Sequence, residues 1–171
     1  LEAVIRRPAT TLGARFETEE VIPMIAGSAA QEPGSLPLLS YLMTDTWNAM
    51  RSDATSDGVM HFPLAMVDVS RPLAERAERF LSRHPGREAV IHHLFCLKLA
   101  HVPMDGEPVR RRARKAECSV EEWKIVEQLA GADWRLLSVG SDDTDITVEV
   151  AHEALLRKWP RLTHWFEEER E

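Results

Sequence analysis

Apolar residues along this chain recur mostly at three- and four-residue steps, and two-residue alternation is confined to its second half. That pattern predicts a first half that is almost wholly helical. Leu1-Glu-Ala-Val-Ile-Arg-Arg7 reads as helix from the outset. Thr18 is placed to cap a helix carrying Val21, Ile22, Met24 and Ile25, with Phe16 as a staple just outside it and Pro23 limiting its regularity. Pro33-Gly34 then breaks the chain, and Ser35 is positioned to cap a helix whose Leu39, Leu42, Met43, Trp47 and Met50 share a face. The stretch Ser52 to Gly58 is polar and turn-rich; beyond it Ser70, with Pro72 in the first turn, opens a helix burying Leu73, Ala77, Phe80 and Leu81.

His84-Pro85-Gly86 stops that helix, and the pattern beyond it changes from helices alone to helices plus strands. Two domains follow, 1–84 and 85–171. In the second, Arg87 to His101 carries Val90, Ile91, Leu94, Phe95 and Leu97, apolar over more than half a helix circumference and so a central helix. Ser119-Val-Glu-Glu122 is a capping box, ahead of a helix that turns Trp123, Val126 and Leu129 inward. Trp134–Val139 and Asp145–Ala151 read as two strands joined by the turn segment Gly140 to Thr144, with Ile146, Val148 and Val150 alternating against Thr147 and Glu149. From His152 onward the chain is helical, restarting at Pro160 after a kink. The fold class expected is mostly α: a helical subdomain followed by a winged-helix subdomain with a small β-hairpin wing. No internal repeat with a period of about 20–50 residues is present.

Composition changes this picture little. At 171 residues and 44% hydrophobic content the chain can bury a sizeable core, while a net charge of -7 argues against a surface built as a whole to hold nucleic acid or anionic membrane. Cys96 and Cys118, the only cysteines, form no C-x-x-C pair, which fits a reducing, cytoplasmic setting and no cysteine zinc site. No apolar run approaches the length of a membrane span. The opening at Leu1, already inside a helix pattern, reads as a piece of a longer protein. G-x-x-x-x-G-K-[ST], H-E-x-x-H, G-x-S-x-G and G-x-G-x-x-G are all missing, so the chain is not expected to be an enzyme by itself.

His152 sits where an alternating strand passes into a helix. A helix start offers unpaired N–H groups and partial positive charge, and an imidazole there adds a donor for a phosphate oxygen. The alternative is that His152 and Glu153 merely cap the helix. The basic run Val109-Arg-Arg-Arg-Ala-Arg-Lys115 is the one concentrated positive patch. It reads as a solvated face, or as a contact for nucleotide, an acidic neighbouring domain or DNA. His92, His93, Cys96 and His101 include an i, i+4 pair, but a structural zinc site wants four closed ligands, and burial as core or edge residues explains them better.

The segment Val148 to Trp165 closely resembles the C-terminal signature of the novel STAND NTPases, V-x-V-A-H-E-A-L-[IL]-R-x-W-P-R-L-x-x-W. It matches at Val148, Val150, Ala151, His152, Glu153, Ala154, Leu155, Leu156, Arg157, Trp159, Pro160, Arg161, Leu162 and Trp165. Upstream, Glu32-Pro-Gly-Ser-Leu-Pro-Leu-Leu39 resembles the family's E-P-G-x-L-P-L-L, and Leu1 to Ala9 resembles the segment after the nucleotide domain. Met66 to Arg71 departs from the family's Y-x-x-L-G-G-V.

The resemblance implies an ARC-like helical subdomain over 1–84 and a winged-helix subdomain over 85–171, together the nucleotide-sensing switch of a signalling ATPase. Pro37 is carried over as the residue packing against base or sugar and His152 as the one touching the ADP β-phosphate. Gly34, Leu36 and Arg111 follow as weaker cofactor-binding candidates, and no metal ligand or catalytic residue is carried over. ADP or ATP with Mg would be shared with a P-loop domain in cis, and none is expected on this piece alone. The other partners implied are sensor or effector domains such as WD repeats and a homo-oligomer when active. Nucleic acid and membrane are not expected. Two rivals stay open from the residues themselves: a winged-helix DNA-binding module using the helix after Ser119, which Glu121, Glu122 and Glu127 disfavour beside phosphates, and a nucleotide-independent adaptor.

Overall fold

The computed structural model describes residues 1–32, 34–52, 57–61, 68–142 and 144–170. Parts of the expected turns at Pro33-Gly34, Ser52 to Gly58 and Gly140 to Thr144, and of the Met66 to Arg71 linker, therefore lie outside the described residues. The chain is mostly α with small β elements, and it divides into two compact units, Leu1–Pro72 and Leu73–Glu171.

The first unit opens with α1 (Glu2–Thr11), an amphipathic helix that buries Ile5 and Ala9. Gly13, at φ +76, turns the chain out of it, and glycine alone takes that conformation without strain. Strand β1 (Arg15–Phe16) then pairs in parallel with β2 (Val59–Met60), a small exception in a first half that is otherwise helical where it has regular structure. Two-residue strands are too short to register as alternation. Phe16 is consequently a strand residue and not a staple. Helix α2 (Val21–Gln31) buries Val21, Ile22, Ile25 and Ala29, and its N-cap is Glu20 without a side-chain cap bond, so Thr18 does not cap it. In α3 (Ser35–Ser52) the serine is the first helical residue; Leu38 and Leu39 are buried, while Leu42, Met43, Trp47 and Met50 are only half-buried. Between α1, α3 and β2 an apolar groove of about 370 Å³ stays open, with Leu12, Met43 and Trp47 in its lining.

The second unit takes in α4 (Arg71–Arg83) from Leu73 onward, so the two compact units divide at the start of this helix. Buried Leu73, Ala77 and Phe80 explain why: Phe80 meets Trp134 edge-on at 5.1 Å, and Arg83 lies over the same indole at 5.5 Å. The Pro-Gly break is a helix stop inside this unit. Beyond it α5 (Glu88–His93) continues as a π-helical stretch, Leu94–Leu99, which buries Leu94, Phe95, Cys96 and Leu99. The expected single helix to His101 thus widens before it ends. Ala100–His101 (β3) then pairs with Val109–Arg110 (β4).

Helix α6 (Val120–Ala130) carries the expected capping box: Ser119 Oγ accepts from the Glu122 N–H at 3.2 Å, and Glu122 Oε2 accepts from the Ser119 N–H at 2.7 Å. The hairpin β6 (Leu137–Ser141) and β7 (Ile146–Val150) gains a third strand, β5 (Ala113–Arg114), so the small sheet has the order β5-β7-β6. A short helix α7 (Ala154–Lys158), an extended Trp159 and α8 (Pro160–Glu168) finish the unit, with Pro160 opening α8 as its sequence position requires. Phe95 and Trp165 both meet the buried Trp159 ring edge-on, at 5.5 and 5.6 Å. Ile146 breaks the expected alternation, since it is exposed while Thr147 is buried.

Candidate functional site

His152 leaves β7 immediately after Ala151, whose N–H is tied to the Leu136 carbonyl at 3.0 Å. Its own carbonyl accepts from the Leu155 N–H at 3.0 Å, and the Leu155 carbonyl accepts from the Trp159 N–H at 3.3 Å. The residue therefore stands at the strand-to-helix junction that the alternation predicts. The helix it opens, however, is only five residues long, a single turn with correspondingly few unpaired N–H groups. The imidazole is half-buried, and that burial holds its pKa below the ordinary 6.5. A ring kept neutral near pH 7 presents one N–H donor and one acceptor nitrogen instead of a cation.

The residues after His152 are placed by side chains far away in sequence. Trp159 is buried, and its indole N–H donates to Glu78 Oε1 at 2.7 Å. Arg161 donates to both oxygens of the same carboxylate at 3.0 Å and reaches Glu88 Oε1 at 2.9 Å. The Arg161 guanidinium holds the Glu78 carboxyl below the usual range against the opposing effect of burial, and Glu78 in turn raises the Arg161 pKa. Nothing in the linear sequence marks Glu78, one of two glutamates on a charged helix.

In the first unit Gly34, at φ +68, leads into α3, and the first turn of that helix exposes Leu36 and Pro37 side by side along the chain. Leu36 is 59% exposed, although its neighbours Leu38 and Leu39 are in the core. Gly34, Leu36 and Pro37 thus stand in one unit, and His152 and Arg111 in the other.

The basic run is largely consumed by internal pairing. Arg111 donates to Glu117 Oε2 at 2.6 Å and to the Leu97 carbonyl at 3.0 Å. Arg112 reaches Glu149 at 3.2 Å, Arg114 reaches Asp142 at 3.7 Å, and Lys115 lies over the Trp123 ring at 4.8 Å. Of these, the Arg112–Glu149 pair links the residue before β5 to β7. The histidines near Cys96 likewise find separate partners: His93 Nδ1 bonds Glu122 Oε1 at 2.6 Å, and His92 lies 3.6 Å from Glu169 and edge-on to Trp165. Cys96 is buried, and burial pushes its thiol up to about 12. Among the described residues no group of three or more His, Cys, Asp or Glu side chains is placed to hold a metal.

Against known families, the chain matches the model described as Novel STAND NTPase 1 over residues 1–171. The chain belongs to this family. No curated protein and no solved structure matches it. As a Novel STAND NTPase 1 member it carries the signature segment as a strand end, a junction at His152, one helical turn, a kink at Trp159 and a final helix. Among the described residues no helix is long and apolar enough to cross a membrane.

Proposed function

We propose that this chain is the regulatory, nucleotide-sensing module of a STAND ATPase, with its second unit acting as the winged helix. A P-loop domain in cis supplies the phosphate cradle and Mg, and this module senses whether ADP or ATP is bound there. The observation that carries the reading is the placement of His152: half-buried, backbone-anchored at a strand-to-helix junction, and kept neutral, so that its N–H serves as a donor to a phosphate oxygen. Exposed Leu36 and Pro37 offer a rigid apolar surface suited to a base or sugar, since proline at a helix start leaves no N–H unsatisfied. Arg111 is a weaker contributor, because Glu117 already holds it.

A ligand shifts a two-state equilibrium only through unequal affinity for the two states. ADP, bound to the closed arrangement with His152 at its terminal phosphate, holds the module closed; exchange for ATP releases it toward effector domains or further copies of the protein, in the cytoplasm. The internal pairing of the basic run favours this over nucleic-acid binding, because arginines already bonded to Glu117, Glu149 and Asp142 must give up those partners to meet phosphates.

In the parent protein, His152→Ala is expected to accelerate ADP release by about tenfold or more, the scale of one hydrogen bond to a charged group. Stopped-flow release of a fluorescent ADP analogue reads this directly. Release at the wild-type rate rejects the role given to His152.

A further inference from the structure

We propose that Glu78 is a positioning residue for His152, acting through Trp159 and Arg161 to hold the His152 segment against α4; this rests on the switch reading above. The connection is continuous in hydrogen bonds. The His152 carbonyl bonds the Leu155 N–H, the Leu155 carbonyl bonds the Trp159 N–H, and the Trp159 indole N–H bonds Glu78 Oε1, at 3.0, 3.3 and 2.7 Å. A single turn of helix between His152 and Trp159 has little stability of its own, so its orientation depends on what anchors its two ends. The β7 strand holds one end. Glu78 holds the other.

The chemistry at Glu78 suits an anchor. Trp159 is 1% exposed, so its indole N–H has to find an acceptor inside the protein, and one Glu78 oxygen supplies it. Arg161, immediately beyond Pro160, engages both oxygens of that carboxylate in a fork and also takes Glu88, which fixes the plane of the guanidinium. A lone surface ion pair contributes little, but a bidentate pair sharing its carboxylate with a buried indole is a network with defined geometry. It follows that Trp159 and Arg161 of the signature segment serve the orientation of the segment, while His152 serves the nucleotide.

The test is a double-mutant cycle on the parent protein, reading release of a fluorescent ADP analogue together with thermal melting. Glu78→Ala is expected to speed release about five- to tenfold, at the lower end of ordinary site-to-site coupling. Glu78→Gln, which keeps a carbonyl oxygen for the indole N–H, is expected to speed it less. In the His152→Ala background the Glu78→Ala effect on release should shrink to less than about twofold, whereas the loss of melting temperature should persist in both backgrounds. Equal acceleration with and without His152, or unchanged release from either Glu78 variant, overturns the proposal. Should Glu78→Ala fail to fold, Glu78→Gln and Trp159→Phe, which keeps an aromatic ring and loses the N–H, take its place in the cycle. If His152→Ala alone leaves release unchanged, the switch reading has failed and the role of Glu78 falls with it, an outcome visible in that single variant.

Discussion

The two units solve the burial problem in different ways. The second ties distant parts of its chain together with side chains: Glu78 to Arg161, Arg112 to Glu149 and His93 to Glu122, beside a cluster of edge-on aromatics at Trp159. The first, among its described residues, relies on apolar helix faces with a few exposed ties such as Arg6 to Glu19, and it leaves an open groove along α1 and α3. The difference teaches where each kind of candidate residue can work. His152 belongs to the cross-braced unit, whereas Leu36 and Pro37 simply stand out from the start of a helix.

The largest effect that sharpens this contrast is Phe95→Ala. Phe95 is 1% exposed and packs on Trp159, so its loss should cost the second unit about 3–5 kcal/mol, the range for truncating a buried aromatic. Urea unfolding followed in single-tryptophan variants measures it: Trp47 reports the first unit, and the other four tryptophans belong to the second. An equal shift in the Trp47 signal means that the units unfold as one, which breaks the comparison.

Acid should act next, through Glu78, Glu122 and His152. Arg161 holds Glu78 low, and for Glu122 burial pushes upward but the Ser119 N–H, His93 and the Ser119 hydroxyl outweigh it. Folding therefore prefers the ionised carboxylates: their contribution is present above the ordinary value of 4.5 and is lost as the pH falls through the lower native values. His152 is a base with a lowered pKa, so the unfolded chain takes up a proton first as the pH drops below 6.5, and stability declines there as well. Two acid steps are expected in the urea midpoint of the second unit, and His152→Ala should remove the upper one. A midpoint that stays flat between pH 7 and pH 5.5 contradicts the burial of the imidazole.

The smallest effect belongs to the groove rim. Leu12 is 62% exposed, so Leu12→Ser should change the stability of the first unit by no more than about 0.5 kcal/mol. A cost approaching that of Phe95→Ala shows that the groove is filled in solution.

What the residues announced in advance was local. The Ser119–Glu122 box, the hairpin after Trp134, the restart at Pro160 and the junction at His152 each follow from signals within a few positions. What stayed hidden depends on partners far along the chain. The β1–β2 ribbon joins residues 44 positions apart through strands too short to alternate. The π-helical stretch reads as ordinary helix, because its apolar residues satisfy either winding. Arg111, Arg112 and Arg114 read as an open basic patch until Glu117, Glu149 and Asp142 fold against them. Membership of α4 in the second unit rests on Phe80 and Glu78, whose counterparts Trp134 and Arg161 lie in later elements. For the candidate site, the position of His152 was readable, but the shielding of its ring and the anchor at Glu78 were not.

The buried Cys96 gives this molecule a silent label. A thiol whose proton is retained up to about pH 12 offers almost no thiolate to an alkylating reagent, since the thiolate is the reactive form. Both cysteines lie in the second unit, and Cys118 is only half-buried. Once Cys118 has been blocked, every further adduct records a moment when the buried stretch around Cys96 opened, a natural clock for excursions of one unit alone.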